Sequence, residues 1–361
     1  MTATVAVVGG GYAGATVAKA LDDVADVILI EPRDAFVHNV AALRGVTDPS
    51  WADQLFLPYD KLLTRGRIRR DRAVKVSPTS VELGSGEIVE ADYIVLATGS
   101  SARYPANIDV DTSEAGKEKL RATHAELKRA SHVLLLGAGA VGLEFAGEIK
   151  AAWPDKAVTV VDPQDELLSS ATFPAEFHAE LRSQLDQLGV QVLLGTFLRE
   201  LPSTEPGVTG TFTVTTEGGT EITADAWFAC YGVTTNSGYL GTELSSALQP
   251  DQRIAVTPEL RVQGQETVFA VGDVNAVPEQ KMARLAQKHA ELVATNIRTL
   301  IEGGGELTAY EQEDADSIVL PLGPRGGVSF ASPAGVLGAS VTAEIKGTLF
   351  IDLYRELLNQ K

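Results

Sequence analysis

Two glycine-rich stretches are the residues of this chain whose types and spacing most clearly serve chemistry. TVAVVGGGYAG runs from Thr4 to Gly14, and HVLLLGAGAVG runs from His132 to Gly142. Each sets an apolar run before G-x-G-x-x-G and a helix-like stretch after it. Each is followed by a second apolar run ending in an acid, Glu31 in the first and Asp162 in the second. The first glycine of such a motif makes the tight turn out of a strand. The second lets the backbone approach a pyrophosphate, and the third lets helix and strand pack closely. The pyrophosphate then rests on the helix N-terminus while the acid accepts from a ribose hydroxyl. One GxGxxG alone is a weak signal. Two, each in a strand–turn–helix context with its acid, predict two dinucleotides.

The elements that must position these turns are duplicated as well. GEIVEADYIVLATG ends at Gly99 and TEITADAWFACYG ends at Gly232, each reading as a polar hairpin, a buried strand and a glycine turn. Gly9 and Gly137 are 128 positions apart, and Gly99 and Gly232 are 133 apart, so the pieces recur in order at matching spacing. The expected fold is α/β, with two Rossmann-like, three-layer ββα dinucleotide-binding domains, the second inserted in the first, and a small C-terminal α+β domain. The expected boundaries are 1–107 and 234–305 for the first, 108–233 for the second and 306–361 for the third. VFAVGD, from Val268 to Asp273, reads as a buried strand. A helix is predicted from near Pro278 or Glu279 to about Ile301, and Gly303, Gly304 and Gly305 end it. Strands are expected at 318–322 and 327–330 around GPRGG, then a terminal helix carrying Phe350, Leu353, Tyr354, Leu357 and Leu358.

Composition removes several function classes. The 361 residues hold 48 Asp+Glu against 30 Lys+Arg, a net charge of −18, which argues against a nucleic-acid partner. The single cysteine, Cys230, can form neither an internal disulfide nor a CxxC pair, so dithiol electron transfer is excluded. Cys230 is expected to be a small core residue, and no metal site is expected. Residue 2 is Thr, which breaks the N-myristoylation pattern, and a strand-like run starts too early for a signal peptide. No apolar stretch approaches the ~20 residues of a membrane span. The expectation is a cytoplasmic monomer or homodimer with at most peripheral membrane contact. Asp352 and Glu356 on the terminal stripe weaken its case as a lipid-binding helix.

The GGGYAG turn, Glu31, the Ala97-Thr98-Gly99 turn and the later VFAVGD resemble the two-dinucleotide flavoprotein superfamily. HNVAALR, VGLEFAGEIK, CYGVTTNS, KMARLAQKHAELVATNI and IKGTLF are similar to one branch of it, the apoptosis-inducing-factor-like and ferroptosis-suppressor group, cousins of the type II NADH dehydrogenases. The resemblance covers essentially the whole chain. It implies FAD contacts at Gly9, Gly11, Tyr12, Ala13, Gly14, Glu31, Pro32, Arg33, Asn39, Arg44, Val74, Ala97, Thr98, Gly99, Gly272, Asp273, Lys281, Met282 and Ala283. It implies NAD(P)H contacts at Gly137, Gly139, Ala140, Val141, Gly142, Glu144, Asp162 and Gly232. Asp162 favours NADH, because a carboxylate repels a 2′-phosphate.

The activity implied is FAD-dependent NAD(P)H:quinone oxidoreduction, with a quinone as the small-molecule partner. The relatives' acid at the Glu144 position points to the nicotinamide; a solvated helical carboxylate or an internal ion pair is the other reading, and the favoured one for Glu148. The helix beginning near Lys281 could face flavin N1 and O2, where charge develops on reduction. His38 is either a proton relay titrating near neutrality or a histidine that simply hydrogen-bonds the backbone. Lys346 and Phe350 are either a carbonyl donor and an apolar wall for the quinone, or a surface lysine and a core phenylalanine. Two alternatives stay open: a ferredoxin or rubredoxin reductase, for which Arg65, Arg67, Arg69, Arg70 and Arg72 would have to form a basic patch, and an NADH-sensing flavoprotein acting through a charge-transfer complex. The arginine stretch otherwise reads as an ordinary hairpin.

Overall fold

The computed structural model describes residues 2–312 and 317–360. The apolar runs become strands because Val and Ile suit a pleated, fully covered surface. Five parallel strands form the first sheet, in the order Val268–Ala270, Tyr93–Leu96, Thr4–Val8, Asp26–Ile30, Arg67–Arg69. Four parallel strands form the second, in the order Val190–Leu193, Ala157–Val161, His132–Leu136, Ala226–Ala229. Each has a helix on one face, Tyr12–Leu21 or Ala140–Ala152, and an antiparallel sheet on the other, giving the three ββα layers. The second unit is inserted in the first, and the chain crosses between them on a two-stranded ribbon, Ser100–Ala102 against Val233–Thr235.

Three expectations about local structure are corrected. Arg67–Arg69 is a fifth parallel strand on the sheet edge, not a hairpin arm. Its arginines and the nearby Arg72 are drawn to acids: Arg67 reaches Asp26 at 2.7 Å, Arg69 reaches Glu87 at 3.2 Å, and Arg72 reaches Asp111 at 3.0 Å. The long helix runs Ala283–Ile301, several residues later than expected. Ahead of it Asn275 Oδ1 accepts from the Val277 amide and from Lys281 Nζ, a local side-chain turn that competes with helix. The terminal helix is Ile351–Leu357, and Phe350 precedes it in left-handed conformation, φ 59°, after Leu349 at φ 53°.

The C-terminal segment straps the two units together. Its strands, Ile318–Pro321, Gly327–Ala331 and the short Gly335–Leu337, form an antiparallel sheet against the second unit. Gln184 there accepts from Gly327 N at 2.7 Å and donates to its carbonyl at 2.8 Å. After the helix Ala339–Lys346, the helix Ile351–Leu357 lies on the first unit. Lys19 Nζ donates to the carbonyls of Glu356 at 2.9 Å and Leu357 at 2.6 Å, capping that helix. Tyr354 packs on Tyr12, with ring centroids 4.9 Å apart.

Gly147 is the tightest point of this strap, since a Cβ there would stand 2.4 Å from Leu322 Cα. An alanine normally gains ~1 kcal/mol over glycine inside a helix. Gly147→Ala is expected to do the reverse, lowering the melting temperature, because backbone cannot yield as a flexible side chain can. An unchanged or raised melting temperature would show that the strap moves freely.

Candidate active site

The six fingerprint glycines divide into two kinds. A Cβ on Gly9 would lie 2.6 Å from Ala97 O, and one on Gly14 would lie 1.8 Å from Gly9 O. The second unit repeats this, with Gly137 at 2.9 Å from Cys230 O and Gly142 at 1.9 Å from Gly137 O. Those four are demanded by the turns themselves. Gly11 and Gly139 would meet nothing within 4 Å, so their open faces leave room for a ligand's close approach. The acids are also set alike. Glu31 accepts from Gly10 N at 2.6 Å and Arg33 N at 3.0 Å, and Asp162 accepts from Ala138 N at 2.6 Å and Gln164 N at 2.8 Å. Two open cradles, each beside a held carboxylate, fit two dinucleotides.

Other expected cofactor residues gather around the first turn. Thr98 Oγ1 donates to Asn236 O at 2.6 Å, and Ser100 Oγ donates to Asp273 Oδ2 at 2.7 Å. Gly272, at φ 71°, sits against Ala286 and Ala13. Arg33, next to Pro32, donates from Nη2 to Ile108 O at 2.9 Å, and Asn39 Oδ1 accepts from Ile108 N at 3.1 Å.

Between the units and the strap lies a cleft of about 1040 Å³. Val141 and Glu144 enter it from the second glycine helix, Asn39 from the first unit, Lys281, Met282 and Ala283 from the start of the long helix, and Lys346 and Phe350 from the strap. Lys346 Nζ donates to Glu144 Oε1 at 2.9 Å and to Val319 O at 3.1 Å. Burial pushes the Glu144 carboxyl upward against the pull of Lys346. Burial, with Arg253 adding to it, lowers the Lys281 ammonium to about 8. Val40, Leu43, Met282, Phe350 and Leu353 make the walls largely apolar. Gln287, Phe330 and Tyr354 also line the cleft, and sequence reasoning did not single out these three for it. For Gln287 the signal was its place one turn after Ala283 on the same helix.

Some expected site residues stand elsewhere. Arg44, whose side chain is only 5% exposed, pairs with Glu148 at 2.7 Å and donates to the Gly347 carbonyl, so its charge is committed within the protein. Glu148 is thus in an internal ion pair. Val74 lies on the side-sheet strand Ala73–Val76, half exposed and away from the cleft. Cys230 follows the strand Ala226–Ala229, and burial pushes its thiol up to about 12.

His38 is fully buried and does not line the cleft. Its Nε2 lies 2.7 Å from the Leu349 carbonyl and its Nδ1 lies 3.2 Å from the Tyr12 hydroxyl, whose oxygen accepts from Val40 N. The carbonyl fixes the tautomer: Nε2 carries the proton and Nδ1 accepts. Burial lowers its pKa to about 4, so the expectation of titration near neutrality does not hold.

Taken together, the fold and site define an oxidoreductase built to bind a flavin and a nicotinamide nucleotide. The chain belongs to the pyridine nucleotide-disulphide oxidoreductase family, whose model matches residues 3–292. Membership implies FAD and NAD(P)H, although one cysteine leaves this chain without the dithiol of the family's name. It is 30% identical over 374 residues to apoptosis-inducing factor homolog B of Dictyostelium discoideum, covering 98% of this chain and 96% of that protein. It is 30% identical over 331 residues to ferroptosis suppressor protein 1 of Homo sapiens, covering 90% and 87%. The sulfide:quinone oxidoreductase of Aquifex aeolicus shares its fold, with a TM-score of 0.77 at 17% identity over 99% of this chain and 92% of that one. The resemblance drawn from the sequence motifs is borne out.

Because the native His38 pKa of about 4 lies below the ordinary 6.5, the unfolded chain takes up a proton in that interval that the folded protein refuses. Stability is therefore expected to fall as pH drops from about 6.5 to 4, by up to about 1.4 kcal/mol per pH unit from this one group. Denaturant midpoints measured across that range should show it, and His38→Gln should flatten the slope. Equal slopes for the two proteins would overturn this account.

Proposed function

We propose that the chain is an FAD-dependent NAD(P)H:quinone oxidoreductase, with NADH the favoured donor. The observation that carries this reading is the shared cleft, where the second glycine helix, the start of the long helix and the apolar strap meet. FAD, when bound, supplies hydride acceptance from a nicotinamide and two-electron transfer to a quinone. The chain's residues bind and orient. The first unit, 1–107 with 234–305, holds FAD through the Gly9 turn, Glu31, Thr98 and Asp273, and the second, 108–233, holds the nicotinamide nucleotide through the Gly137 turn and Asp162.

Lys281 and the free amides at the start of Ala283–Ile301 put positive charge on the cleft wall, where it favours a flavin that has gained electrons. Glu144 orients the nicotinamide side. Lys346 donates to Glu144, opposing the upward push of burial on that carboxyl, and offers N–H to a quinone carbonyl, against the apolar wall of Phe350 and Leu353. His38 acts as a positioning residue by holding the Leu349 carbonyl, and with it the turn that presents Phe350. Among the described residues no helix is long and apolar enough to cross a membrane, and a cytoplasmic enzyme touching lipid only peripherally suits a quinone substrate. A ferredoxin-type partner is disfavoured, since the arginines around Arg67–Arg69 are largely spent on the protein's own acids.

Titrating the purified protein with NADH without oxygen should bleach its flavin absorbance, and a soluble ubiquinone or menaquinone analogue should restore it quickly. Flavin that stays bleached after quinone would overturn the acceptor, and a protein carrying no flavin would overturn the whole reading.

Asp162 and the exposed Asp165 and Glu166 after it surround the expected adenosine ribose with negative charge. Asp162→Ala with Gln164→Arg is therefore expected to shift the NADH-to-NADPH ratio of kcat/KM toward NADPH by about tenfold or more, or 1.4 kcal/mol. An unchanged ratio would show that other residues set the preference.

A further inference from the structure

The connecting ribbon ends in an arginine that no part of this scheme uses. Ala102 pairs with Val233, so Arg103 and Gly232 come next at the end of the ladder beside the second sheet. The Arg103 guanidinium carbon lies 5.2 Å from the centroid of the Tyr231 ring. Its Nε is 3.4 Å from where a Cβ on Gly232 would stand, with Gly232 at φ 82°. Arg103 and Tyr231 are both exposed, and Arg103 forms no ion pair among the described residues. An unpaired guanidinium, pre-oriented on an aromatic face, presents a planar fork to which an oxyanion can bind through two oxygens.

The duplication says what that anion is. A Cβ on Gly9 would meet Ala97 O, and one on Gly14 would lie 3.2 Å from Ala97 Cβ. In the second unit Gly137 meets Cys230 O and Gly142 lies 3.3 Å from Cys230 Cβ in the same way. Cys230 therefore corresponds to Ala97, and Tyr231-Gly232 to Thr98-Gly99, at the 133-residue offset. Each pair leaves its strand directly under a dinucleotide-type turn. In the second sheet Asp162 follows the strand on one side of His132–Leu136, and Tyr231 follows the strand on the other. Asp162 faces the adenosine end, so Tyr231 and Arg103 stand at the opposite end.

We propose that Arg103, stacked on Tyr231, binds the phosphate nearer the nicotinamide in NAD(P)H and closes the second dinucleotide site on the side away from Asp162. This rests on the reading of the second unit as the nicotinamide-nucleotide domain. Both side chains are exposed, so the cover yields to solvent, as a ligand that must leave after each turnover requires.

The test is calorimetric titration of the FAD-loaded protein with NAD⁺, ADP-ribose and AMP, which needs no turnover. Arg103→Ala is expected to weaken NAD⁺ and ADP-ribose about tenfold, the scale of one charge-assisted hydrogen bond, and to leave AMP unchanged. AMP carries only the adenosine-side phosphate. Arg103→Lys, which keeps the charge but loses the fork, should recover part of the loss. Unchanged ADP-ribose affinity, or an equal loss for AMP, would overturn the assignment. A wild-type protein that binds none of the three would overturn the nucleotide reading itself and this proposal with it.

Discussion

The buried pair of Arg44 and Glu148 holds the molecule in the arrangement that everything else uses. Arg44 belongs to the first unit's helix Ala42–Thr47, Glu148 to the second unit's glycine helix, and the Gly347 carbonyl that Arg44 also reaches to the strap. Three parts of the chain meet at one guanidinium, with the Trp51 ring 5.3 Å away. Burying two charges costs several kcal/mol per ion, and their attraction repays that only when the geometry and the remaining hydrogen bonds are good. Arg44 meets this with bonds from Nε and Nη2 to the carboxylate and from Nη1 to the carbonyl. Such a contact adds little net stability over an apolar one, yet it tolerates only one seating of the three parts. The cleft lies where those three parts meet.

The same helix shows why the second acid is free to face the cleft. Glu144 and Glu148 are one turn apart on one face, where like charges repel. Each has its own cation, Lys346 for Glu144 and Arg44 for Glu148, and both cations come from outside the second unit. Lys346 ends the helix Ala339–Lys346, and three residues further the chain enters the left-handed pair Leu349–Phe350. Non-glycine residues held there cost of order 1–3 kcal/mol each and persist only when the surroundings over-determine them. Here the Leu349 carbonyl is held by His38 and the Leu349 amide by the Lys346 carbonyl, which leaves Phe350 turned to the cleft.

What the sequence disclosed follows from how local each requirement is. The turns at Gly9 and Gly137 were legible because strand, glycines and acid all lie within about 30 residues and each type has one physical reason. Arg67–Arg69 and Val190–Leu193 apart, the strands of the two parallel sheets were legible because parallel strands covered on both faces read as unbroken apolar runs. Arg44 carries no mark of its true partner, which lies 104 residues away in another unit. Arg67–Arg69 looked like a hairpin because its pairing with Asp26–Ile30 crosses a long connection. The helix start slipped from Pro278 to Ala283 because Asn275 closes a turn that helix propensity does not register. His38 stood open between relay and core group, and only burial decides between them.

The two copies of the fingerprint also differ in how firmly the residues beside them are fastened, and that difference suits the tasks proposed for them. In the first unit, Thr98 is locked by reciprocal bonds, its hydroxyl to Asn236 O at 2.6 Å and its carbonyl from Asn236 Nδ2 at 3.0 Å, with Tyr239 on the same hydroxyl. Asp273 is fastened to Ser100 beside it. On the proposed assignment, such a network suits a flavin that stays bound. In the second unit the matching residue is Tyr231, 45% exposed and covered by a guanidinium that makes no ion pair among the described residues. Fewer bonds fasten that turn, which on the proposed assignment suits a nucleotide that exchanges. Under the proposed function, a single turn, written twice, serves a cofactor that stays and a donor that leaves, and what separates the two is how many hydrogen bonds fasten the residues beside the glycines.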